Sequence, residues 1–560
     1  MTARFAFASL ALVVTRLTPT WLGALGVLAA AVWACDDDAT GPGGAPTTSS
    51  AGPGGEGGGW DPRFDAFVDA LQQDLAASGA YGVSVAVMES GQITFAHAFG
   101  SKDPAGLEPL ETSTLMQIGS VTKPITATAL LRNVDAGEVA LEDTLGVVLP
   151  ALEFARDDRW DDRITLHHVL SHQSGLVDTL DWPGSADDGA LADFFYGDYA
   201  TSGYVMAPPG TFYNYSNPNF SYAGLISETL DTRAWSDLIR EDVLLPLGMT
   251  RTFARRDEVE ADGDYAIGYG YTLTGELREV LMEEVTDAAS TRPAATLWST
   301  PLQMMQLAAF IRNGNQAVLS DALRAEITTP KVTTGYLNGT RHYGYGMAIW
   351  EGFLTSEGTY YPMPVWFHGG NTNSFTTDFW VLPEQDFALC IVVSGVYADF
   401  DHSVDVAMET LVALPAPIDA PRATVDPSTF GRHVGTYLDR FNLGHIIIED
   451  AGDALTISMP DAEAAGVTVD HQLTAVSNDI FLVYLNGLRY DLTFFPATPG
   501  GQSVYVRNRN FVGRRMVPVD SLPTDPPTAD SVAIERMLLQ HSSDPGDRRI
   551  WKAALTSTPP

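Results

Sequence analysis

Gly119-Ser-Val-Thr-Lys-Pro-Ile-Thr-Ala-Thr-Ala-Leu-Leu131 reads as a turn running into a helix. Ser120 suits an N-terminal helix position, and Pro124 is tolerated in a first turn, where its missing N–H has no helical partner. Positions three apart share a helix face, so the amine of Lys123 is within reach of the Ser120 hydroxyl. A serine hydroxyl is a weak nucleophile until a neighbouring base takes its proton, and a lysine does that when its site lowers its pKa. The chain holds only four lysines, Lys102, Lys123, Lys331 and Lys552, so chance has few opportunities to set one three residues after a serine. Taken alone, the pair is more often a helix cap beside a solvated lysine. The rest of the chain has to separate the two readings.

At 560 residues the chain is long enough for two or three domains, and with 45% hydrophobic and 10% aromatic residues it can fill their cores. Its net charge is −38, from 70 acidic and 32 basic residues. That balance speaks against nucleic-acid binding, which needs basic patches to neutralise phosphates. At the N-terminus Arg4 and Arg16 precede an apolar run, Trp21 to Ala34, too short for a comfortable membrane span. The run ends at Cys35 and resembles an export signal with a bacterial lipobox, whose cysteine carries the lipid that holds the protein at a membrane. A plain secretory signal or an uncleaved anchor are the rival readings. All three put the folded part outside the cytoplasm, in the cell envelope. Residues 36–59, rich in Gly, Pro, Ser and Thr, read as a tether. Cys390 lies in the apolar strand Phe387-Ala-Leu-Cys-Ile-Val-Val393 and reads as a small buried hydrophobe. No zinc spacing, disulfide framework or Gly-rich phosphate loop stands out, so neither metal nor cofactor is expected.

A helix over 64–78 leads to a hairpin, Tyr81 to Met88 and Ile93 to Phe99, turned by Glu89-Ser-Gly-Gln92. Residues 140–330 carry helical periodicity broken by long loops, and strong strands return at 375–382 and 387–394. Strands at both ends with helices between them predict one α+β domain over 60–413, its sheet closed by the late return of the chain. A Pro-rich linker, 414–428, follows. Over 429–519 short alternating runs, at 445–448, 454–458, 480–484, 490–495 and 502–506, predict a small all-β barrel or sandwich. The tail, 520–560, carries one amphipathic stretch, 531–540.

Acyl transfer needs a nucleophile, a base, an oxyanion cradle and a proton donor for the leaving group. Two later stretches supply candidates in order. Tyr213-Asn-Tyr215-Ser-Asn217 lies in a loop, and Phe367-His368-Gly-Gly370-Asn371 runs into the late strands. Tyr-x-Asn also occurs at Tyr336 and Tyr484, and His-x-Gly at His433, so only the ordered set is specific. With Leu166-His-His-Val-Leu-Ser-His-Gln-Ser-Gly-Leu176, Leu245-Pro-Leu-Gly-Met249 and Tyr343-Gly-Tyr-Gly-Met347, this set resembles the serine β-lactamases, D-alanyl-D-alanine carboxypeptidases and related esterases, most nearly their class C branch. The resemblance implies a β-lactamase/transpeptidase-like α+β fold, an antiparallel sheet flanked by helices, followed by a lipocalin-like β domain.

It also implies roles. Ser120 attacks a carbonyl and is acylated. Lys123 and Tyr215 share the proton work, with the base between them left open. Asn217 steadies Lys123 and bonds a substrate amide. The backbone N–H groups of Ser120 and Asn371 form the oxyanion hole, and Gly369 and Gly370 let substrate approach the strand. The substrate is a small molecule or peptide with an ester, amide or β-lactam bond. The chain departs from the pattern at His368, where the family often has lysine. A mostly neutral histidine weakens recognition of a carboxylate or serves only to orient Tyr215. It departs again at Ser374, whose side chain is expected to narrow the pocket. His172 reads as a buried structural histidine, and His167 and His168 as packing or surface residues. A binding lipoprotein that keeps this fold without its chemistry is the rival from another class. The β module is expected to bind a lipid or peptide, cap the site or form oligomers.

Overall fold

The computed structural model describes residues 59–154, 162–180 and 182–516. The expected signal, Cys35 lipid site, most of the tether and the tail lie outside the described residues. Helix α1 (Asp65–Ser78) enters through a single 3-10 turn capped by Asp61 and stops at Gly79, whose φ of +71° favours glycine. Strands β1 (Gly82–Glu89) and β2 (Gln92–Gly100) form the expected hairpin. Helix α2 (Lys123–Asp135), helix α3 (Asn217–Asp231) and helix α4 (Pro301–Asn313) belong to the long middle section. The chain then lays down β3 (Val332–Thr333), β4 (Arg341–Tyr343), β5 (Ala348–Trp350), β6 (Val365–Asn371), β7 (Thr376–Leu382) and β8 (Phe387–Val393) before α5 (Asp401–Leu411).

These strands make one antiparallel sheet in the order β2-β1-β8-β7-β6-β5-β4-β3. The first domain's last strand, β8, pairs with its first, Val85 opposite Ile391, which is the closure that the late strands predict. Side chains alternate across the pleat. Ala388, Cys390 and Val392 face the core under the middle helices, while Phe387, Leu389, Ile391 and Val393 face the core under α1 and α5. Both faces are covered, so these strands read as continuous apolar runs.

The C-terminal domain holds β9 (Gly435–Asp439), β10 (Gly444–Asp450), β11 (Leu455–Ser458), β12 (Thr474–Ala475), β13 (Ile480–Leu485), β14 (Leu488–Pro496), β15 (Ser503–Asn508) and β16 (Phe511–Arg515). Their order is β11-β10-β9-β16-β15-β14-β13-β12. The segment entering β12 bonds back to β11, Ile457 N–H to His471 O and Leu473 N–H to Leu455 O, so the sheet curls into a barrel. Phe430, Tyr437, Phe481, Tyr490, Phe494 and Phe511, each at most 2% exposed, pack its core. The sequence pattern missed β9, β12 and β16. Thr436-Tyr437-Leu438 offers little alternation, and β16 carries Gly513, Arg514 and Arg515.

The barrel rests on the first domain. Phe441 stacks on Tyr204 with centroids 3.8 Å apart, Phe495 stacks on Phe212 at 4.6 Å, and the Tyr336 hydroxyl donates to Asp491.

Candidate active site

Gly119–Thr122 is a 3-10 turn, and the α-helix begins only at Lys123. Ser120 therefore caps nothing, contrary to the simplest reading of its position. The Thr122 hydroxyl donates to Gly119 O, and the Ser120 hydroxyl is left for other partners. Gly119 has a φ of +55°, and a Cβ there would lie 2.3 Å from Asn371 N. A Cβ on Gly370 would lie 2.0 Å from Ile118 O. The two glycines thus let the nucleophile turn press closely onto β6. Gly370 is occupied by this packing. Gly369, one residue earlier, lines the cleft.

Lys123 is fully buried. Its three N–H positions meet three acceptors: Ser120 Oγ at 2.9 Å, Asn217 Oδ1 at 2.8 Å and Ala294 O at 2.8 Å. A buried ammonium is tolerable only when paired in this way. The Tyr215 hydroxyl donates to Ser120 Oγ at 2.8 Å. Asn217 is the first residue of α3. Its N–H and Nδ2 donate to Asp178 Oδ1 at 2.8 and 3.1 Å, which turns its Oδ1 toward Lys123. Asn371 ends β6, and its Oδ1 accepts from the Thr376 hydroxyl at 3.1 Å.

His368 is 3% exposed and does not line the cleft. Its Nε2 meets the Tyr343 hydroxyl at 3.0 Å and its Nδ1 meets Gly369 O at 2.7 Å. Burial, with Lys123 nearby, lowers its pKa to about 3, so the ring is neutral. Its centroid lies 6.4 Å from that of Tyr215. Ser374 is buried against Gly268 and Gly270 and leaves the cleft unobstructed, a departure from its expected place. His172 is buried, with Nδ1 facing Ser216 N–H at 3.2 Å and Asn219 Nδ2 at 3.1 Å. His168 completes the cap of the short helix Leu166–Leu170, and His167 meets the Tyr345 hydroxyl.

A cleft of about 300 Å³ opens over Ser120, Tyr215, Asn217 and Asn371. Trp182, Tyr271 and Tyr397 give it aromatic walls. Two of its charged residues were missed by sequence reasoning, Asp178 and Arg509. Arg509 comes from the barrel, at the turn between β15 and β16, and its Nε donates to Asp178 Oδ2 at 2.8 Å. The available signal was Arg507-Asn-Arg509, two cations two residues apart in an acidic chain.

Comparison with known proteins gives the family. The Beta-lactamase family model matches residues 65–413, more than half of the chain. The chain belongs to the beta-lactamase family. It is 28% identical over 215 residues to penicillin-binding protein 4* of Bacillus subtilis (strain 168), covering 37% of this chain and 46% of that one. It is 26% identical over 356 residues to the unguisins hydrolase ungD' of Aspergillus campestris (strain IBT 28561), covering 60% and 63%. Against esterase EstB of Burkholderia gladioli it is 36% identical over 114 residues, covering 20% and 28%. The chain thus spans about half the length of the first of these relatives, and less than two thirds of the others. Among solved structures, SurE with D-Leu superimposes with a TM-score of 0.59 at 19% identity, covering 81% of this chain and 99% of that one. The D-amino acid amidase of Ochrobactrum anthropi SV3 gives 0.51 at 21% identity, covering 63% and 99%. At these identities the beta-lactamase-family fold is what is shared. Relatives that are penicillin-binding proteins, an esterase and a hydrolase support a hydrolase role for the family domain.

Proposed function

We propose that the chain is an exported serine hydrolase, held at a membrane by lipid on Cys35, that cleaves an ester, amide or β-lactam bond through an acyl-Ser120 intermediate. One observation carries the reading: Ser120 Oγ stands 2.8 Å from the Tyr215 hydroxyl and 2.9 Å from Lys123 Nζ, under an open cleft. Tyr215 is the base in this scheme. Lys123 Nζ lies 4.8 Å and the Arg509 guanidinium 4.4 Å from the centroid of its ring, and two cations beside a phenol favour its ionised form.

Tyr215 takes the Ser120 proton as Oγ bonds to the carbonyl carbon. The oxygen that becomes anionic is held by the N–H groups of Ser120 and Asn371. Tyr215 returns the proton to the leaving amine or alcohol as its bond to carbon breaks. Water then attacks the ester on Ser120 by the same route and frees the acid. The neutral His368, set back from the cleft, supports preference for uncharged esters and amides over carboxylate-bearing substrates. The aromatic walls suit an apolar group on either side of the scissile bond.

The test is intact mass of the purified protein after brief exposure to a penicillin and to a short activated ester, beside Ser120→Ala. A mass gain that the variant lacks is expected. No adduct with either compound, from folded protein, would favour a binding lipoprotein that keeps the fold without the chemistry.

A further inference from the structure

The barrel's β15–β16 turn reaches the reacting groups. Arg509 is 18% exposed, and its Nε and Nη2 both bond Asp178 Oδ2. Its guanidinium lies over the Tyr215 ring, and its backbone oxygen accepts from Asn214 Nδ2 at 3.0 Å. Asp178, 5% exposed, in turn holds the N–H and Nδ2 of Asn217, whose Oδ1 holds Lys123.

We propose that the barrel is a working part of the active site, with Arg509 as a positioning residue that fixes Tyr215 directly and Asn217 through Asp178. The proposal rests on the acyl-enzyme reading of Ser120. A buried carboxylate needs a paired cation, and without Arg509 the Asp178 carboxylate would be left unpaired and turn toward water, releasing Asn217. The Tyr215 ring would also lose the cation that lies against its face. Docking of the two domains does not require this residue. The Phe441–Tyr204 and Phe495–Phe212 stacks hold the surfaces together, and Arg507 Nη1 donates to Tyr213 O at 2.8 Å. Arg509 is thus free to serve the site, where its cation meets Tyr215 on one side and Asp178 on the other.

The test compares wild type, Arg509→Met, Arg509→Lys and Phe441→Ala in the whole chain. With an activated ester, Arg509→Met is expected to lose about 10-fold to 100-fold in kcat/KM, mostly through kcat. The limb of its pH–rate profile that reports proton transfer should move to higher pH, and Arg509→Lys should recover part of both. Phe441→Ala, which loosens docking, should lower the melting temperature and leave the limb in place. A second readout needs no turnover. Lysine labelled at its side-chain carbon gives four signals from four lysines, and that of Lys123 is identified by Lys123→Met. It should shift in Arg509→Met. If wild type is not acylated, the acyl-enzyme reading fails and the lysine signal alone judges the positioning role. An unchanged Lys123 signal overturns the proposal, as does a rate within about twofold of an active wild type.

Discussion

The His172 ring lies against the Tyr215 ring, centroids 4.2 Å apart and planes tilted by 35°. His172 adopts a φ of +56°, a region rarely used outside glycine, and burial lowers its pKa well below the ordinary value. It acts as a neutral spacer that sets how far the phenol can swing from Ser120. His172→Ala opens a cavity and leaves Ser216 N–H and Asn219 Nδ2 without their acceptor. A loss of about 2–4 kcal/mol in denaturant unfolding is expected, together with a fall in acylation rate.

Lys123→Met should leave a protein that still binds substrate yet acylates at least about 100-fold more slowly, because the charge that favours the phenolate is gone. Lys123→Arg should not rescue it, since a planar fork cannot meet acceptors arranged around one nitrogen. Single-turnover mass spectrometry separates the two steps, and wild-type acylation in either variant would remove Lys123 from the scheme.

Gly370→Ala tests the contact between the nucleophile turn and β6. A methyl group 2.0 Å from Ile118 O cannot be accommodated, and the atom in the way is backbone. The turn must move off the strand and carry the Ser120 N–H with it. Loss of an aligned oxyanion donor costs about 100-fold to 1,000-fold in kcat. Full activity in the variant would mean that the cradle lies elsewhere.

Two consequences of pH follow from buried neutral histidines. His368, at about 3, keeps one charge state between about pH 5.5 and 8, so the ratio of kcat/KM for an anionic and a neutral ester should stay flat over that window. A ratio that tracks a group titrating near 6.5 would restore a carboxylate-binding role to this histidine.

Stability has its own dependence. His368 titrates at about 3 and His433, bonded to Ser503 and Asn478 in the barrel, at about 4, against 6.5 for an exposed histidine. Their folded pKa values are depressed, so below 6.5 the unfolded chain takes up protons before the folded one. The stability tied to them is complete above pH 6.5 and is lost as pH falls toward 4 and then 3. The urea midpoint should therefore drop between pH 7 and 4.5. In His433→Gln that drop should be shallower, and equal slopes would discount the residue.

Much of the site was readable because its chemistry is local. Ser120 and Lys123 are three apart, and Tyr215 and Asn217 are two apart. The sheet was readable because Phe387 to Val393 is apolar throughout. Asp178 and Arg509 were not readable, for their pairing spans 331 residues and depends on where one domain settles on another. No pattern along the chain encodes that contact. The turn running into a helix at Ser120 was readable, but the loss of its capping role was not. Its caplike position is overridden by the packing of Gly119 against β6, a tertiary effect.

Cys390 sits in β8, between β1 and β7, fully buried and with its thiol pushed well above its ordinary pKa. A thiolate reagent cannot reach it while these strands stay paired. Among residues 36–560 it is the sole cysteine. The rate at which such a reagent modifies the native protein therefore clocks the rare parting of the central sheet, and the sequence supplies that probe without any engineered label.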